Sequence, residues 1–483
     1  MKNALLLGGL ALGIALAQSC ARNPVTGKRQ VVFTSEAQEI SMGQEADPQI
    51  VAQFGLYPDS SLQRFMRERG QAVAAISHRP NIAYTFRVLD SDVINAFATP
   101  GGYVYFTRGI MAHFNDEAQF MGVLGHETGH ITARHSVIQQ RNQMLGQVGV
   151  LASVIVNPNL GRFAESAMQG VGLLMLKFSR DDERQADELG VEYMTKQGYN
   201  AHNMATFFQT LQRQSQSANA QAIPPFLSTH PDPGDRFVTV NKLADQWQQK
   251  TNQTDAALKV NRESYLRRIE GITYGADPRQ GYVETGAFYH PELRFQFPVP
   301  QGWQYQNSPS QFQMAPADGK ALVILMLAPG SNLREAATAQ LQKLQLTVVD
   351  SRETTVNGLS ALVAVADQQQ QQGGGTIRTL NYFIQYNGNI YHMVGVSAGA
   401  DFAERQSTFA SIMEGFRTLS DPAKLNRTAE RIKLRTISSA TTLRAALTAA
   451  GIPEARHNEL AILNGMQLTD NLTAGTMIKV VGR

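Results

Sequence analysis

The chain has 483 residues, with 43% hydrophobic and 17% charged side chains and a formal net charge of +3. This is the composition of an ordinary soluble globular protein, and the chain is too long for a single core, so we expect about two to four domains. Because the net charge is small and no basic cluster occurs, the sequence excludes nucleic acid as a predicted partner.

The N-terminus has the pattern of a bacterial lipoprotein signal peptide over residues 1–20. A basic start precedes an apolar run over residues 4–17, which is too short to span a bilayer comfortably. Cys20 is the single cysteine and therefore cannot form an internal disulfide. We expect lipidation at Cys20 rather than ordinary cleavage nearby. Ala21 then favours the inner leaflet of an outer membrane, and so a periplasmic location, in a Gram-negative source.

The next part of the chain mixes helix and strand patterns. Residues 21–58 contain proline, and we interpret them as a tether that leads into helices. The turn Thr99-Pro100-Gly101-Gly102 between two strand patterns predicts a hairpin. The predicted elements are a helix over 60–78, a strand over 83–89, and hairpin strands over 95–98 and 103–106.

An H-E-x-x-H motif follows at residues 126–130. Histidines four residues apart leave the same face of a helix, so His126 and His130 can hold one zinc ion. Glu127 between them can reach a water molecule at that metal and act on its proton. The motif therefore predicts a zinc peptidase. A surface helix with incidental histidines is the alternative.

The residues around the motif fit a helix. Asn115 is the expected N-cap, and Asp116 and Glu117 suit the positive first turn. Apolar residues recur at helical spacing along one stripe. We expect His135, beyond the motif, to face solvent rather than to bind metal.

An apolar run over residues 146–156 is too short to span a membrane, and we expect it to be buried or interfacial. Helices are predicted over 179–197, 201–217 and 233–248, and the composition changes near residues 249–254, where the first domain is expected to end. Within the acidic helix, Glu183 and Asp187 share a face, which suits a third metal ligand and a group that orients a histidine. The residues alone leave that choice open, because solvated surface acids have the same pattern.

The second half of the chain is richer in strand patterns. Helices are predicted there over 332–343 and 400–414, and strands over 293–297, 321–327, 362–366, 380–385 and 390–396. Residues 368–375 are of low complexity and predict a flexible hairpin loop. A last unit over residues 428–483 has a strand-helix-helix-strand pattern and resembles a lysin motif, a family that often binds peptidoglycan. A small structural cap without a ligand is the alternative.

Four motifs in order resemble the zinc metallopeptidase family of the CAAX prenyl endopeptidases, of gluzincin type, and especially its soluble, BepA-like bacterial branch. In chain order they are the stretch from Asn95 to Gly102, the H-E-x-x-H motif, the S-R-x-x-E-x-x-A-D pattern from Ser179 to Asp187, and Ser228-Thr229-His230-Pro231 with Arg236. Cys20 followed by Asn23-Pro24-Val25-Thr26-Gly27 is also typical of the family's lipoproteins. The resemblance covers residues 21–285. Beyond them the expected helical repeats are missing, so the partners of that branch are not carried over.

The resemblance implies roles for individual residues. Glu183 would be the third zinc ligand, and Asp187 would support the histidines. The strand formed by Asn95, Ala96, Phe97 and Ala98 would bind substrate by β-addition. His230 would either stabilise the oxyanion or occupy the fourth zinc position as a latch, unless it only caps a turn.

These patterns predict an α+β protein that binds one Zn²⁺ per chain. Arg236 is a weaker oxyanion candidate or a structural ion-pair partner. We expect a mainly helical zincin-type metallopeptidase domain with a small edge sheet over residues 59–285, a strand-rich α+β domain over 286–422, and the βααβ unit over 428–483.

The predicted function is a zinc-dependent endopeptidase of the bacterial envelope that degrades misfolded or damaged proteins. Its predicted partners are unfolded proteins, a membrane reached through the lipid anchor, and peptidoglycan. The alternative is an envelope chaperone or a peptidoglycan-associated binding protein with a latched, weakly active peptidase domain.

Overall fold

The computed structural model describes residues 20–31, 34–139, 178–217, 225–230, 233–369 and 375–483. The expected signal segment before Cys20, the apolar run over 146–156 and the loop over 370–374 lie outside these residues. Within the described part of the chain, no helix has both the length and the apolar character needed to cross a membrane.

The segment interpreted as a tether contains regular structure that packs on the rest of the protein. Strands β1 (Cys20–Arg22) and β2 (Arg29–Val31) pair antiparallel. Helix α1 (Glu36–Phe54) begins with a capping box between Ser35 and Gln38, which satisfies backbone groups at its first turn. Gly43 of α1 lies so close to the turn at Pro100 that an added Cβ would come within 2.3 Å of that carbonyl oxygen.

A small sheet and a helix lie beside α1. Helix α2 (Ser60–Ile76) precedes strands β3 (Thr85–Leu89), β4 (Ala96–Thr99) and β5 (Tyr103–Thr107). In the sheet, β5 is central, β3 is parallel to it, and β4 is the antiparallel edge strand. The predicted hairpin is therefore present, and its second strand joins the first predicted strand.

The site helices follow in two groups. Helix α3 (Arg108–His113) leads into the motif helix α4 (Glu117–Thr132). After the undescribed segment come α5 (Arg180–Lys196), α6 (His202–Ser217), α7 (Pro225–Thr229), α8 (Pro233–Thr251) and α9 (Arg262–Ile269). The N-cap of α4 is Asp116 rather than Asn115, because the Asp116 carboxylate accepts from the backbone N–H of Gln119 at 2.8 Å.

The strand-rich region is built on a seven-stranded antiparallel sheet. Its strand order is β10-β11-β12-β16-β15-β14-β13. The strands are β10 (Gln304–Asn307), β11 (Gln311–Ala315), β12 (Ala321–Leu327), β13 (Thr347–Val356), β14 (Leu359–Gln369), β15 (Thr376–Tyr386) and β16 (Asn389–Ala398). Alternate residues of β12 enter different cores, because Val323 packs with helix α11 (Phe402–Glu414) and Leu322 with helix α10 (Leu333–Lys343). The two helices therefore cover opposite faces.

Short strands connect this sheet with the first domain. β6 (Thr273–Tyr274) precedes a four-stranded sheet in the order β17-β9-β8-β7. Its strands are β7 (Tyr282–Glu284), β8 (Ala287–His290), β9 (Phe295–Pro298) and β17 (Arg417–Thr418), and the short helix α12 (Pro422–Leu425) follows.

The last unit has the predicted strand-helix-helix-strand order. It contains β18 (Glu430–Thr436), β19 (Thr441–Thr442), α13 (Leu443–Ala449), α14 (His457–Leu463), β20 (Asn471–Leu472) and β21 (Met477–Gly482). Its apolar residues belong to the same hydrophobic cluster as the motif helix, and β18 pairs with β6. Fully buried Lys479 donates to the carbonyls of Ala112 and Phe114, just ahead of α4. The unit is thus continuous with the first domain's core.

Candidate metal centre

Two helices that pack closely together carry most of the site. α4 carries His126, Glu127 and His130, and α5 carries Glu183 and Asp187. Both acids are buried, so the interpretation as solvated surface charge does not hold for them.

Small residues allow the two helices to approach each other. A Cβ added to Gly125 of α4 would lie 3.0 Å from the carbonyl oxygen of Gly190 on α5. A Cβ added to Gly190 would lie 3.1 Å from the backbone nitrogen of His126. Backbone therefore meets backbone at this crossing, which brings the acids of α5 within reach of the histidines.

Four side chains converge with the spacing of a metal site. Potential ligand atoms of His126, His130, Glu183 and His230 all lie within 4.8 Å of one another. Four atoms placed tetrahedrally at about 2.1 Å from one ion would be about 3.4 Å apart. The Nε2 atoms of His126 and His130 are 3.0 Å apart, and His126 Nε2 lies 3.3 Å from His230 Nδ1. Glu183 lies 3.7 Å from His126 Nε2 and 3.5 Å from His130 Nε2.

The donor set therefore fits zinc. Three imidazole nitrogens and one carboxylate, all buried, are ordinary ligands of this ion. His126, His130 and Glu183 would hold it, and His230 lies where a fourth ligand would be.

A buried ion pair contacts the His126 ring at Nδ1, on the side away from the metal cluster. Its Nδ1 lies 2.9 Å from Oδ1 of Asp187, whose two oxygens accept from Arg236 at 2.6 and 2.9 Å. Burial alone would raise the pKa of Asp187, but Arg236 and His126 outweigh that effect and lower it. Burial and the charge of Arg236 together lower the pKa of His126 to about 3, so its imidazole is neutral and available as a ligand.

The Arg236 guanidinium is held by several groups at once. Besides Asp187, it lies 3.1 Å from a carboxylate oxygen of Glu183 and 3.9 Å from the centre of the Phe208 ring. With burial opposing, His230 and Arg236 hold the pKa of Glu183 well below its usual range. The geometry favours the structural ion-pair role of Arg236 over the oxyanion role.

Glu127 has the environment of a general base. Neither of its carboxylate oxygens has a hydrogen-bond partner among the described residues, although both are buried. Burial raises the pKa of Glu127 to about 7. A carboxylate with a pKa near neutrality is able both to take up and to return a proton.

The segment that carries His230 closes the site. His230 Nδ1 lies 2.8 Å from Oε1 of Glu183, and the Phe226 ring stacks on the His230 ring at 4.6 Å. The backbone N–H of Phe226 donates to the carbonyl of Ile94, just ahead of edge strand β4. The Ala96, Phe97 and Ala98 side chains of β4 are buried, and Asn95 is half-buried. The metal cluster is therefore buried, and so is most of the predicted substrate strand.

Phe178 and His135 both contact His130, and neither was predicted as part of the site. The Phe178 ring stacks on His130 at 4.0 Å. The expectation that His135 faces solvent is wrong, because it is 1% exposed and its Nδ1 lies 3.0 Å from Nδ1 of His130. Burial and its neighbour His130 lower the pKa of His135 to about 4. Arg134, which precedes it, has a φ of 64°, and this turn after the helix redirects the chain inward.

The structure thus brings together most of the sequence-predicted site residues: His126, Glu127, His130, Glu183, Asp187, His230 and Arg236. Asn95 to Ala98 lie beside the segment that carries His230. Cys20 stands apart in β1, although Asn23, three residues later, donates to the carbonyl of Ala133 at 3.4 Å.

Comparison with known proteins finds similarity to a peptidase family for this part of the chain. Residues 60–244 match the model of Peptidase family M48. The beta-barrel assembly-enhancing protease of Escherichia coli (strain K12) is 28% identical over 240 residues, covering 48% of this chain and 49% of the relative. The same-named protein of Yersinia pestis is 30% identical over 251 residues, covering 50% of each chain. Metalloprotease YcaL of Escherichia coli (strain K12) is 27% identical over 229 residues, covering 44% of this chain and 87% of the relative.

The chain therefore spans about half the length of the beta-barrel assembly-enhancing proteases that it matches. The matched segment contains every member of the metal cluster and of the ion pair behind it. The similarity to peptidase family M48 and the metal cluster therefore fall in the same segment of the chain.

Proposed function

We propose that this protein is a zinc-dependent endopeptidase of the bacterial cell envelope that degrades misfolded or damaged envelope proteins. The observation that carries the proposal is the buried cluster of His126, His130 and Glu183 with Glu127 beside it. The matching relatives named beta-barrel assembly-enhancing protease support a protease function. We assign the domain to the CAAX prenyl endopeptidase type on its ordered motifs.

The chemistry follows from the side chains. Zinc, when bound, polarises the scissile carbonyl and lowers the pKa of a water molecule toward about 7. Glu127 takes a proton from water on its carboxylate and returns it to the leaving amine. Asp187, held by Arg236, fixes the His126 ring so that Nε2 points into the cluster.

The closed conformation supports a latched resting state. His230 occupies the fourth position, and Phe226 ties the same segment to Ile94 ahead of β4. Movement of residues 225–230 would free both the fourth metal position and one end of the substrate strand. Substrate would then add to Asn95, Ala96, Phe97 and Ala98 through main-chain hydrogen bonds, with little sequence selectivity.

The peptidase proposal is tested by comparing wild type with Glu127→Gln. We expect both proteins to bind one zinc ion, and we expect Glu127→Gln to cleave unfolded casein about 10²–10⁴-fold more slowly than wild type. Equal behaviour of the two proteins toward casein would instead favour the chaperone alternative.

We also propose that Cys20 carries a lipid that anchors the protein at the inner leaflet of an outer membrane. Because Asn23 contacts the end of the motif helix, only a short stretch separates the lipid from the domain; three residues span at most about 11 Å. Labelling with a radioactive fatty acid tests this. Wild type should be labelled and membrane-bound, and Cys20→Ser should be neither.

The last unit is proposed to be lysin-motif-like and to bind peptidoglycan, on its strand-helix-helix-strand order. The test is a pull-down of the purified Glu127→Gln protein with sacculi. Recovery in the supernatant at all protein concentrations would leave the unit as a structural cap.

A further inference from the structure

The two zinc-ligand histidines are supported in different ways. His126 faces the carboxylate of Asp187 through Nδ1. His130 faces a third histidine instead, with its Nδ1 at 3.0 Å from Nδ1 of His135. His135 is buried, and its other nitrogen, Nε2, lies 2.9 Å from Oε1 of Gln185 on α5.

The proton positions along this chain follow from the contacts. His130 directs Nε2 into the metal cluster, so its Nδ1 must carry the hydrogen. That N–H can donate only if His135 Nδ1 is an acceptor, which places the hydrogen of His135 on Nε2. Nε2–H then donates to the side-chain oxygen of Gln185. Asp182 Oδ1 lies 3.6 Å from the same nitrogen, so two acceptors on α5 face this hydrogen, and Gln185 is the nearer one.

The backbone before His135 is held in the conformation that this contact requires. Arg134 adopts a left-handed φ of 64°, which is costly for a residue with a side chain. Its guanidinium is held by Glu39 and donates to the carbonyl of Thr34 at 2.7 Å. Arg79 also donates to the carboxylate of Glu39 at 2.9 Å and to the carbonyl oxygen of Ile131 at 3.1 Å. These contacts from the N-terminal segment stabilise the turn that places His135 under His130.

We propose that His135 is a positioning residue of the metal centre, which accepts a hydrogen bond from His130 and thereby fixes the ring whose Nε2 binds zinc. This inference rests on the proposed zinc site and not on the identity of the substrate. A ligand that is held in one orientation loses less rotational freedom when the metal binds, so removing the hydrogen bond weakens zinc binding.

The experiment measures zinc affinity of the purified full-length protein by competition with a chromogenic chelator. His135→Phe keeps a planar ring but removes the acceptor, and we expect its zinc dissociation constant to rise about 10–100-fold. His135→Gln restores an acceptor oxygen, and its affinity should return to within about threefold of wild type. The Co²⁺-substituted proteins give a second readout, since the visible absorption band should change in His135→Phe and recover in His135→Gln.

A matched control separates a local effect from the general loss of a buried histidine. His392→Phe removes another fully buried imidazole, in the strand-rich region, and should leave zinc affinity unchanged. If His135→Phe does not fold, Gln185→Leu serves instead. It removes the nearer acceptor of His135 Nε2, and its zinc affinity should be lower than that of wild type, with a smaller loss than the one expected for His135→Phe.

Two results would overturn the inference. One is a folded His135→Phe protein with wild-type zinc affinity. The other is an equal loss in His135→Gln and His135→Phe, which would mean that packing and not the hydrogen bond matters. Failure of the proposed function is distinguishable, because Glu127→Gln tests proteolysis while zinc affinity is measured without substrate.

Discussion

His230 Nδ1 and Glu183 Oε1 lie 2.8 Å apart. Glu183 lies on α5, and its carboxylate also faces both histidines of the motif on α4. This contact makes His230 the fourth member of the buried metal cluster. If His230 is the proposed latch, its removal should open the site.

The first prediction concerns that latch. His230→Ala should raise the rate of casein cleavage by about tenfold, which corresponds to about 1.4 kcal/mol of stabilisation of the closed state. Ser228→Ala, an exposed change on the same segment, is the control and should behave as wild type. A fall in rate for His230→Ala would exclude the latch and support oxyanion stabilisation.

The second prediction concerns the crossing of the two site helices. Gly190→Ala would bring a Cβ within 3.1 Å of the His126 backbone nitrogen, so the helices must separate slightly. Alanine favours a helix by about 1 kcal/mol over glycine, so the melting temperature of the metal-free protein should change little. Zinc affinity should nevertheless fall by about tenfold, because the ligands sit on both helices. Isothermal titration with zinc checks this, and Glu188→Ala on the exposed face of the same helix is the control.

The third prediction concerns the join between the last unit and the motif helix. Burial and the nearby Arg262 lower the pKa of Lys479 well below its usual range. Lys479→Met should destabilise the protein by about 1–3 kcal/mol, because the carbonyls of Ala112 and Phe114 lose their donor.

Urea denaturation, monitored by the far-UV circular dichroism of the helices, measures this effect. Lys433→Met on the paired strand β18 removes an exposed lysine and should cost little. An unchanged midpoint for Lys479→Met would mean that the join contributes nothing to the stability of the first domain.

The fourth prediction is a pH dependence in the strand-rich region. Burial lowers the pKa of His392 to about 3, whereas an unfolded histidine titrates near 6.5. Between these values the unfolded chain binds one more proton than the folded chain, so the free energy of unfolding rises with pH by about 1.4 kcal/mol per unit from this group. The stabilisation is complete above pH about 6.5 and is lost as the pH falls toward about 3.

Urea titrations between pH 4 and 7 on wild type and His392→Gln measure the difference. The free energy of unfolding of the variant should rise less steeply with pH, by about 1.4 kcal/mol per pH unit, which corresponds to one bound proton. Parallel curves for the two proteins would contradict the prediction.

Much of the fold followed from local patterns. The spacing of apolar residues predicted the motif helix, the acidic helix α5 and four central strands of the large sheet. The turn residues predicted the hairpin of β4 and β5. Local signals were weaker at boundaries. Asn115 and Asp116 are both good N-caps, and only the bond to the Gln119 N–H decides between them.

The N-terminal segment was harder to interpret. Helix α1 contains Pro48 and packs through long-range contacts, which local propensity does not reveal. In the same way, the last unit was recognisable by its element order, but its shared core with the motif helix depends on contacts between residues more than 300 positions apart.

The sequence by itself placed His126 and His130 on one face, with Glu127 between them, because helical geometry alone puts residues four apart on one face. The residues alone left open what completes the site; the resemblance implied Glu183, and the tertiary structure places it beside the histidines. Glu183 and Asp187 are equivalent by spacing, and the crossing at Gly125 and Gly190 directs one toward the histidine Nε2 atoms and the other toward His126 Nδ1. Likewise, His135 looks like a surface residue in a helical pattern, and it becomes a partner of His130 because the chain turns at Arg134. Interactions between distant segments set these orientations, and no local pattern encodes them.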